Sequence, residues 1–168
     1  SDSSQALTQE ERAFIQRAQP YVVAVLDHNA PYQYADAQTG QLGGIGVDIL
    51  KKIAQQTGLQ FEFVLVESWD ELLTMLQEKK VQVVAGMPYS YDFGAAWDLT
   101  ITRSYASSPY VLLAKEGFEG PKQGQKLAQT AVNAYTEGKY VGEMTPYPSM
   151  EDCVEAVRQG EADYTYVD

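Results

Sequence analysis

Two stretches of the chain repeat one design at a constant offset of 81 positions, Ser68–Met87 ("SWDELLTMLQEKKVQVVAGM") and Ser149–Asp168 ("SMEDCVEAVRQGEADYTYVD"). Ser68 and Ser149 stand where a helix needs an N-cap, with Glu71 and Asp152 three residues further on. Trp69, Leu72, Leu73 and Leu76 answer Met150, Cys153, Val154 and Val157, the same i, i+3, i+4, i+7 stripe. "VQVVAG" and "ADYTYV" then read as short strands, and Met87 falls on Asp168. Capped helix–strand units recur throughout α/β proteins, so no single match carries weight. The agreement of cap, stripe and helix–strand distance together points to two similar α/β lobes in tandem.

The remaining segments fit that plan. "LTQEERAFIQRAQ" predicts a helix with Thr8 and Glu11 as a capping box, ended by Pro20. "YVVAVL" (21–26) is an unbroken apolar run of strand length, suited to a buried parallel strand. A long loop, "DHNAPYQYADAQTGQLGG", leads to a helix with Ile45, Ile49, Leu50 and Ile53 on one face, stopped at Thr57-Gly58. "QFEFVLV" is a second strand, Tyr110–Ala114 another and "KLAQT" a weak one. Asn133 is a candidate cap for a short helix near "AYTEGKY", and "MTPYPS" leads into the last helix. The lobe boundary falls near residues 102–108, giving a leader and helix over 1–20, lobe 1 over 21–103 and lobe 2 over 104–168.

Charge and composition exclude several classes. A formal net charge of −11 opposes nucleic acid or an anionic membrane as partner, because both need a positive footprint. One cysteine, Cys153, excludes an internal disulfide and a thiolate cluster, and one histidine, His28, excludes a multi-histidine metal site. No Ser/His/Asp set is evident, so no catalytic residue, metal or cofactor is assigned. Cys153 lies on the apolar helix stripe and reads as core packing; His28 reads as an incidental loop residue. No apolar run is long enough to span a membrane, and no signal peptide opens the chain.

In open parallel sheets ligands bind at the carboxyl ends of strands. Here those ends carry "DHNAPYQY", "GMPYSYD" and Asp168. The order of "LTQEERAFI", "YVVAVLDHNAPYQY", "GGIGVDILKKIAQQTGLQFEFV", "ITRSY" and "GEADYTYVD" resembles the type II periplasmic solute-binding proteins of the polar amino-acid class. The resemblance implies a two-lobed, Venus-flytrap α/β fold, here without the usual C-terminal return to lobe 1. With the return absent, lobe 1 exposes apolar surface and a homodimer is an added expectation. The helix before the first strand is most like sensor domains attached to membrane histidine kinases or diguanylate cyclases.

The resemblance also implies site residues. Asp168 takes the place of the carboxylate that meets a ligand ammonium group. Asn29 stands where relatives carry a stacking aromatic. Of Tyr32 and Tyr34 in the first loop one lines the cleft or hinge, with Tyr32 taken as the contact, and the other packs. Trp69 either lies over the ligand or is a core residue. Gly86, Met87 and Tyr89 offer backbone and hydroxyl groups, and Asn133 opens a lobe 2 helix. Asp48 is a first-turn acid rather than a contact. One departure stands out: the Arg that clamps an amino-acid carboxylate is replaced by Ala95, and "YSYDFGAAWDLT" holds no basic residue. Arg103 lies outside the expected place. The expected function is an extracytoplasmic, non-catalytic sensor module that closes on a small polar molecule (amino-acid-like, amine or peptide), joined to the membrane only through a segment absent here. A transporter-associated binding protein is the near alternative. A dehydratase-like enzyme on the same fold, with Asp27 and Asp168 as an acid–base pair, is the alternative from another class, and a pure protein-interaction domain a third.

Overall fold

The computed structural model describes residues 6–87, 90–107, 110–136 and 142–168. The chain divides into two compact units, Ser1–Gly86 and Met87–Asp168. Residues 87–103, read above as part of lobe 1, fall in the second unit by this division.

The first unit opens with α1 (Gln9–Arg17), and both halves of its capping box are made. The Glu11 N–H donates to Thr8 Oγ1 at 3.1 Å, and the Thr8 N–H donates to Glu11 Oε2 at 2.7 Å. Next come β1 (Tyr21–Leu26), β2 (Tyr34–Ala35), β3 (Leu42–Gly43), α2 (Ile45–Thr57), β4 (Phe61–Val66), α3 (Trp69–Gln77) and β5 (Val83–Ala85). β1 is the centre of a three-stranded parallel sheet, β4-β1-β5. That position explains its sequence, because a strand covered on both faces has no use for alternation. Val23, Val25, Val47 and Ala85 form the core, with Leu50, Phe61 and Phe63 packed against it.

Two expectations change here. The long first loop contains a small hairpin, β2 with β3. In α2 the buried residues are Gly46 and Val47, while Ile45 and Ile53 are exposed. The glycine lets the start of the helix lie close against the loop, where the Gly46 N–H donates to the Tyr32 carbonyl at 2.9 Å. Of the expected stripe, Leu50 still packs against the core, while Ile45 and Ile53 lie at its exposed margin.

The second unit comprises α4 (Tyr91–Ala96), β6 (Val111–Ala114), β7 (Lys126–Thr130), α5 (Ala131–Thr136), β8 (Glu143–Tyr147), α6 (Met150–Gln159) and β9 (Tyr164–Val167). Its sheet runs β6-β9-β7-β8, with β6 antiparallel and the other pairings parallel. The internal repeat is real and longer than the sequence echo. Ser68 and Ser149 cap α3 and α6 with nearly the same backbone, φ −144° and −141°. Each Oγ accepts the N–H three residues on at 3.2 Å. Both units hold a β-α-β-α-β run whose parallel strands lie in the order second, first, third: β4-β1-β5 and β8-β7-β9.

"MTPYPS" is not only a lead into the last helix, since Glu143–Tyr147 is strand β8. β8 is an edge strand, where a proline such as Pro146 is tolerated because one side of the ladder needs no donor. Asn133 is the third residue of α5 rather than its cap. Helix α4, capped by Ser90, has no counterpart among the sequence expectations.

Two outcomes follow from this packing. Ser68→Ala and Ser149→Ala should each cost about 1 kcal/mol, lowering the melting temperature by roughly 2–4 °C. Because the caps lie in different units, the double variant should lose the sum in calorimetry. Cys153 is fully buried, and burial pushes its thiol up to about 11 from an ordinary 9.0. The unfolded chain therefore ionises first, so this group's contribution is constant below pH 9 and lost as the pH rises towards 11. A thiol reagent at pH 8 should label Cys153 only under denaturing conditions.

Candidate ligand-binding site

In the first unit the carboxyl ends of β1, β4 and β5 lead into three junctions: residues 27–35, the Ser68 cap of α3, and Gly86–Met87. Parallel pairing puts these three ends on one edge of the sheet. The edge therefore gathers Asn29, Tyr32, Trp69 and Gly86, four of the eight residues expected from the sequence, and Met87, the first residue of the second unit, follows Gly86 directly. Tyr89 lies outside the described residues.

The first junction is a folded device rather than a loose loop. Asp27 Oδ1 accepts the His28 N–H at 2.7 Å and the Ala35 N–H at 2.9 Å, closing both ends of the loop with one carboxylate oxygen. Asn29 acts through its backbone: its carbonyl accepts from the Tyr32 and Gln33 N–H groups, and its own N–H donates to the Gln33 carbonyl. The carbonyls of Pro31 and Tyr32 then accept the first two amides of α2, from Ile45 and Gly46, at 3.0 and 2.9 Å. Gly44 makes this approach possible, since a Cβ there would sit 2.5 Å from the Tyr32 carbonyl oxygen. Tyr32 is half-buried, whereas Trp69 is only 7% exposed and packs as part of the unit's interior.

In the second unit the corresponding edge carries the start of α5 after β7, Ser149 after β8, and Asp168 after β9. Asp168 is exposed. Asn133 is 6% exposed and donates through Nδ2 to the Tyr110 hydroxyl at 3.1 Å. Tyr110 immediately precedes β6, whose first residue pairs with Val167, so this bond lies at the same edge as Asp168. Ala95 is exposed on α4, and no basic side chain lies between residues 90 and 102. Arg103 is exposed.

Sequence reasoning missed two buried polar residues at these edges. Gln33 is 1% exposed at the first edge, and Thr130 is 9% exposed at the end of β7. Each keeps a side-chain oxygen without a hydrogen-bond partner among the described residues. Their one-dimensional signal is weak, because a glutamine in "PYQY" and a threonine in "AQTA" look like ordinary loop and strand-end residues.

The family model of the bacterial extracellular solute-binding proteins, family 3, matches residues 21–147. The chain belongs to that family. It is 25% identical over 145 residues to the L-cystine-binding protein TcyA of Bacillus subtilis (strain 168), covering 82% of this chain and 53% of the relative. It is 25% identical over 171 residues to a probable amino-acid ABC transporter-binding protein of Haemophilus influenzae, covering 92% and 62%. The chain thus spans little more than half the length of these relatives. Among solved structures, the periplasmic VFT2 domain of Bordetella pertussis BvgS superimposes with a TM-score of 0.72 at 19% identity, over 96% of this chain and 72% of that one. The arginine-bound form of truncated ArgBP from T. maritima gives 0.65 at 21% identity, over 96% and 77%. These likenesses establish the type II periplasmic-binding-protein fold. The curated relatives are binding proteins. No helix among the described residues is long and apolar enough to cross a membrane.

The Asp27 carboxylate gives this site a direct test. Asp27→Ala should leave the part-buried Ala35 N–H without its acceptor, while water replaces it at the exposed His28 N–H, costing about 1 kcal/mol in urea denaturation. Faster hydrogen exchange at Ala35 should accompany the loss. Asp27→Asn, which keeps an acceptor oxygen, should lose less than half as much.

Proposed function

We propose that this chain is the ligand-binding part of an extracytoplasmic sensor, recognising a small polar molecule through an ammonium or other cationic group. The observation that carries the ligand reading is the pairing of an exposed Asp168 at the end of β9 with Ala95 where a carboxylate clamp would stand. An acid without an accompanying Arg suits an amine, a cationic amino-acid derivative or a peptide amino terminus better than a free α-amino acid. The net charge of −11 acts in the same direction, raising the local concentration of cations. In this reading Asn29, Tyr32, Gly86 and Met87 contribute from lobe 1, and Asn133 holds Tyr110 beside Asp168 in lobe 2. Trp69 supports the lobe 1 surface from beneath, and residues 87–103 carry the crossover between lobes.

The sensor reading is supported by α1 standing ahead of β1, and by the likeness to the BvgS domain. A transporter-associated binding protein is the second reading, supported by the cystine-binding and transporter-binding relatives. The complete gene separates them: a kinase or cyclase region downstream supports sensing, and a lipoprotein signal with no output region supports transport.

A thermal-shift panel of amino acids, amines and dipeptides tests the ligand class. A true ligand at 100-fold its Kd should stabilise by about 2.7 kcal/mol, a rise of roughly 5–10 °C. Asp168→Asn should abolish that rise for ammonium-bearing compounds. It should leave the unliganded protein within about 0.5 kcal/mol, as expected for an exposed side chain. A panel without any rise favours a protein-interaction domain.

A further inference from the structure

Gln33 and Gly86 fit one another in a way that neither ordinary packing nor ligand contact explains. The Gln33 amide is almost wholly buried, and its Nε2 donates to the Gly86 carbonyl at 3.4 Å. Its Oε1 lies over the Gly86 Cα, where a Cβ would come within 1.6 Å of it. Gly86 also has φ +75°, which an L side chain adopts only at a cost. Both ends of the amide therefore grip one residue, the nitrogen on its carbonyl and the oxygen against its Cα–H. Gln33 itself is fixed by the first junction, through its N–H to the Asn29 carbonyl and its carbonyl to the Asn29 N–H.

We infer that Gln33 is a positioning residue, which sets the orientation of the Gly86–Met87 peptide. A trans peptide directs its C=O and N–H to opposite sides. With the Gly86 carbonyl turned inward to Gln33, the Met87 N–H is turned away from the first junction. That N–H makes no backbone hydrogen bond among the described residues, and so stands available to an acceptor. The bond from Nε2 also polarises the peptide, making the Met87 N–H a better donor. In a site without an arginine clamp, this amide is the group that meets a carbonyl or carboxylate oxygen of the ligand. This role rests on the ligand-binding reading above, but the grip itself is a property of the unliganded chain.

The test therefore begins without ligand. Gly86→Ala should lower the melting temperature by about 10 °C, from the φ penalty and the collision with Gln33. Gln33→Ala in the same chain should recover several degrees of that loss, because only the φ penalty then remains. Losses that simply add in the double variant overturn the grip. Gln33→Met, which keeps length and removes the hydrogen bond, should shift the Met87 amide nitrogen resonance upfield while distant amides of the first unit stay in place. An unmoved Met87 resonance overturns the positioning role. The same Gln33→Met chain, titrated with whichever compound gives the largest thermal shift in the amine and peptide panel, should bind at least several-fold more weakly. Unchanged affinity overturns the functional part. A panel without any hit bears on the ligand reading and leaves the two unliganded measurements to decide the grip.

Discussion

β1 lies between two parallel neighbours, in register with β4 along six residues and with β5 along three. Its residues Val23, Ala24 and Val25 have no exposed surface, and each valine buried this way is worth roughly 1.5–3 kcal/mol. Parallel pairing requires the chain to return to the starting edge after every strand, and helices α2 and α3 make those returns. All three strands then release their carboxyl ends at a single edge. β7 imposes the same condition on the second unit, with α5 and α6 as the returns. The polar groups at the strand ends, Asp27 and Gln33 in the first unit and Thr130 and Asp168 in the second, stand where they do because of those two central strands.

What could be read from the sequence followed from local physics. The caps at Thr8, Ser68 and Ser149 were legible because a serine or threonine oxygen, an acid three residues later and an apolar stripe all serve one helix end. β1 was legible because full burial writes an unbroken apolar run. β8 was not, since its exposed edge lets "EMTPY" keep a proline and polar residues that argue against a strand. Asn133 was misplaced for a related reason. Asparagine favours caps, but here its amide is engaged by Tyr110, a partner 23 residues away. Gln33 was invisible because its significance lies in the backbone of Gly86, which no pattern around "PYQY" announces. Asp168 drew attention only through the family resemblance, since a terminal acid after a short strand carries no local signal of its own.

The helix ends at these edges bear on ligand charge. A helix N-terminus attracts anions through its free amides and its dipole. In this protein that capacity is largely used within each unit. The first two amides of α2 are taken by the Pro31 and Tyr32 carbonyls. α3 begins with Ser68, Asp70 and Glu71, and α6 with Ser149, Glu151 and Asp152, so each carries its own cap and its own negative charge. A carboxylate approaching either helix end would meet that helix's own acids. At the edge of the second unit a cationic group meets the opposite situation, with Asp168 exposed at the edge that also carries the start of α6 and its acids. The features that stabilise these helices thus lower the affinity of each edge for anions.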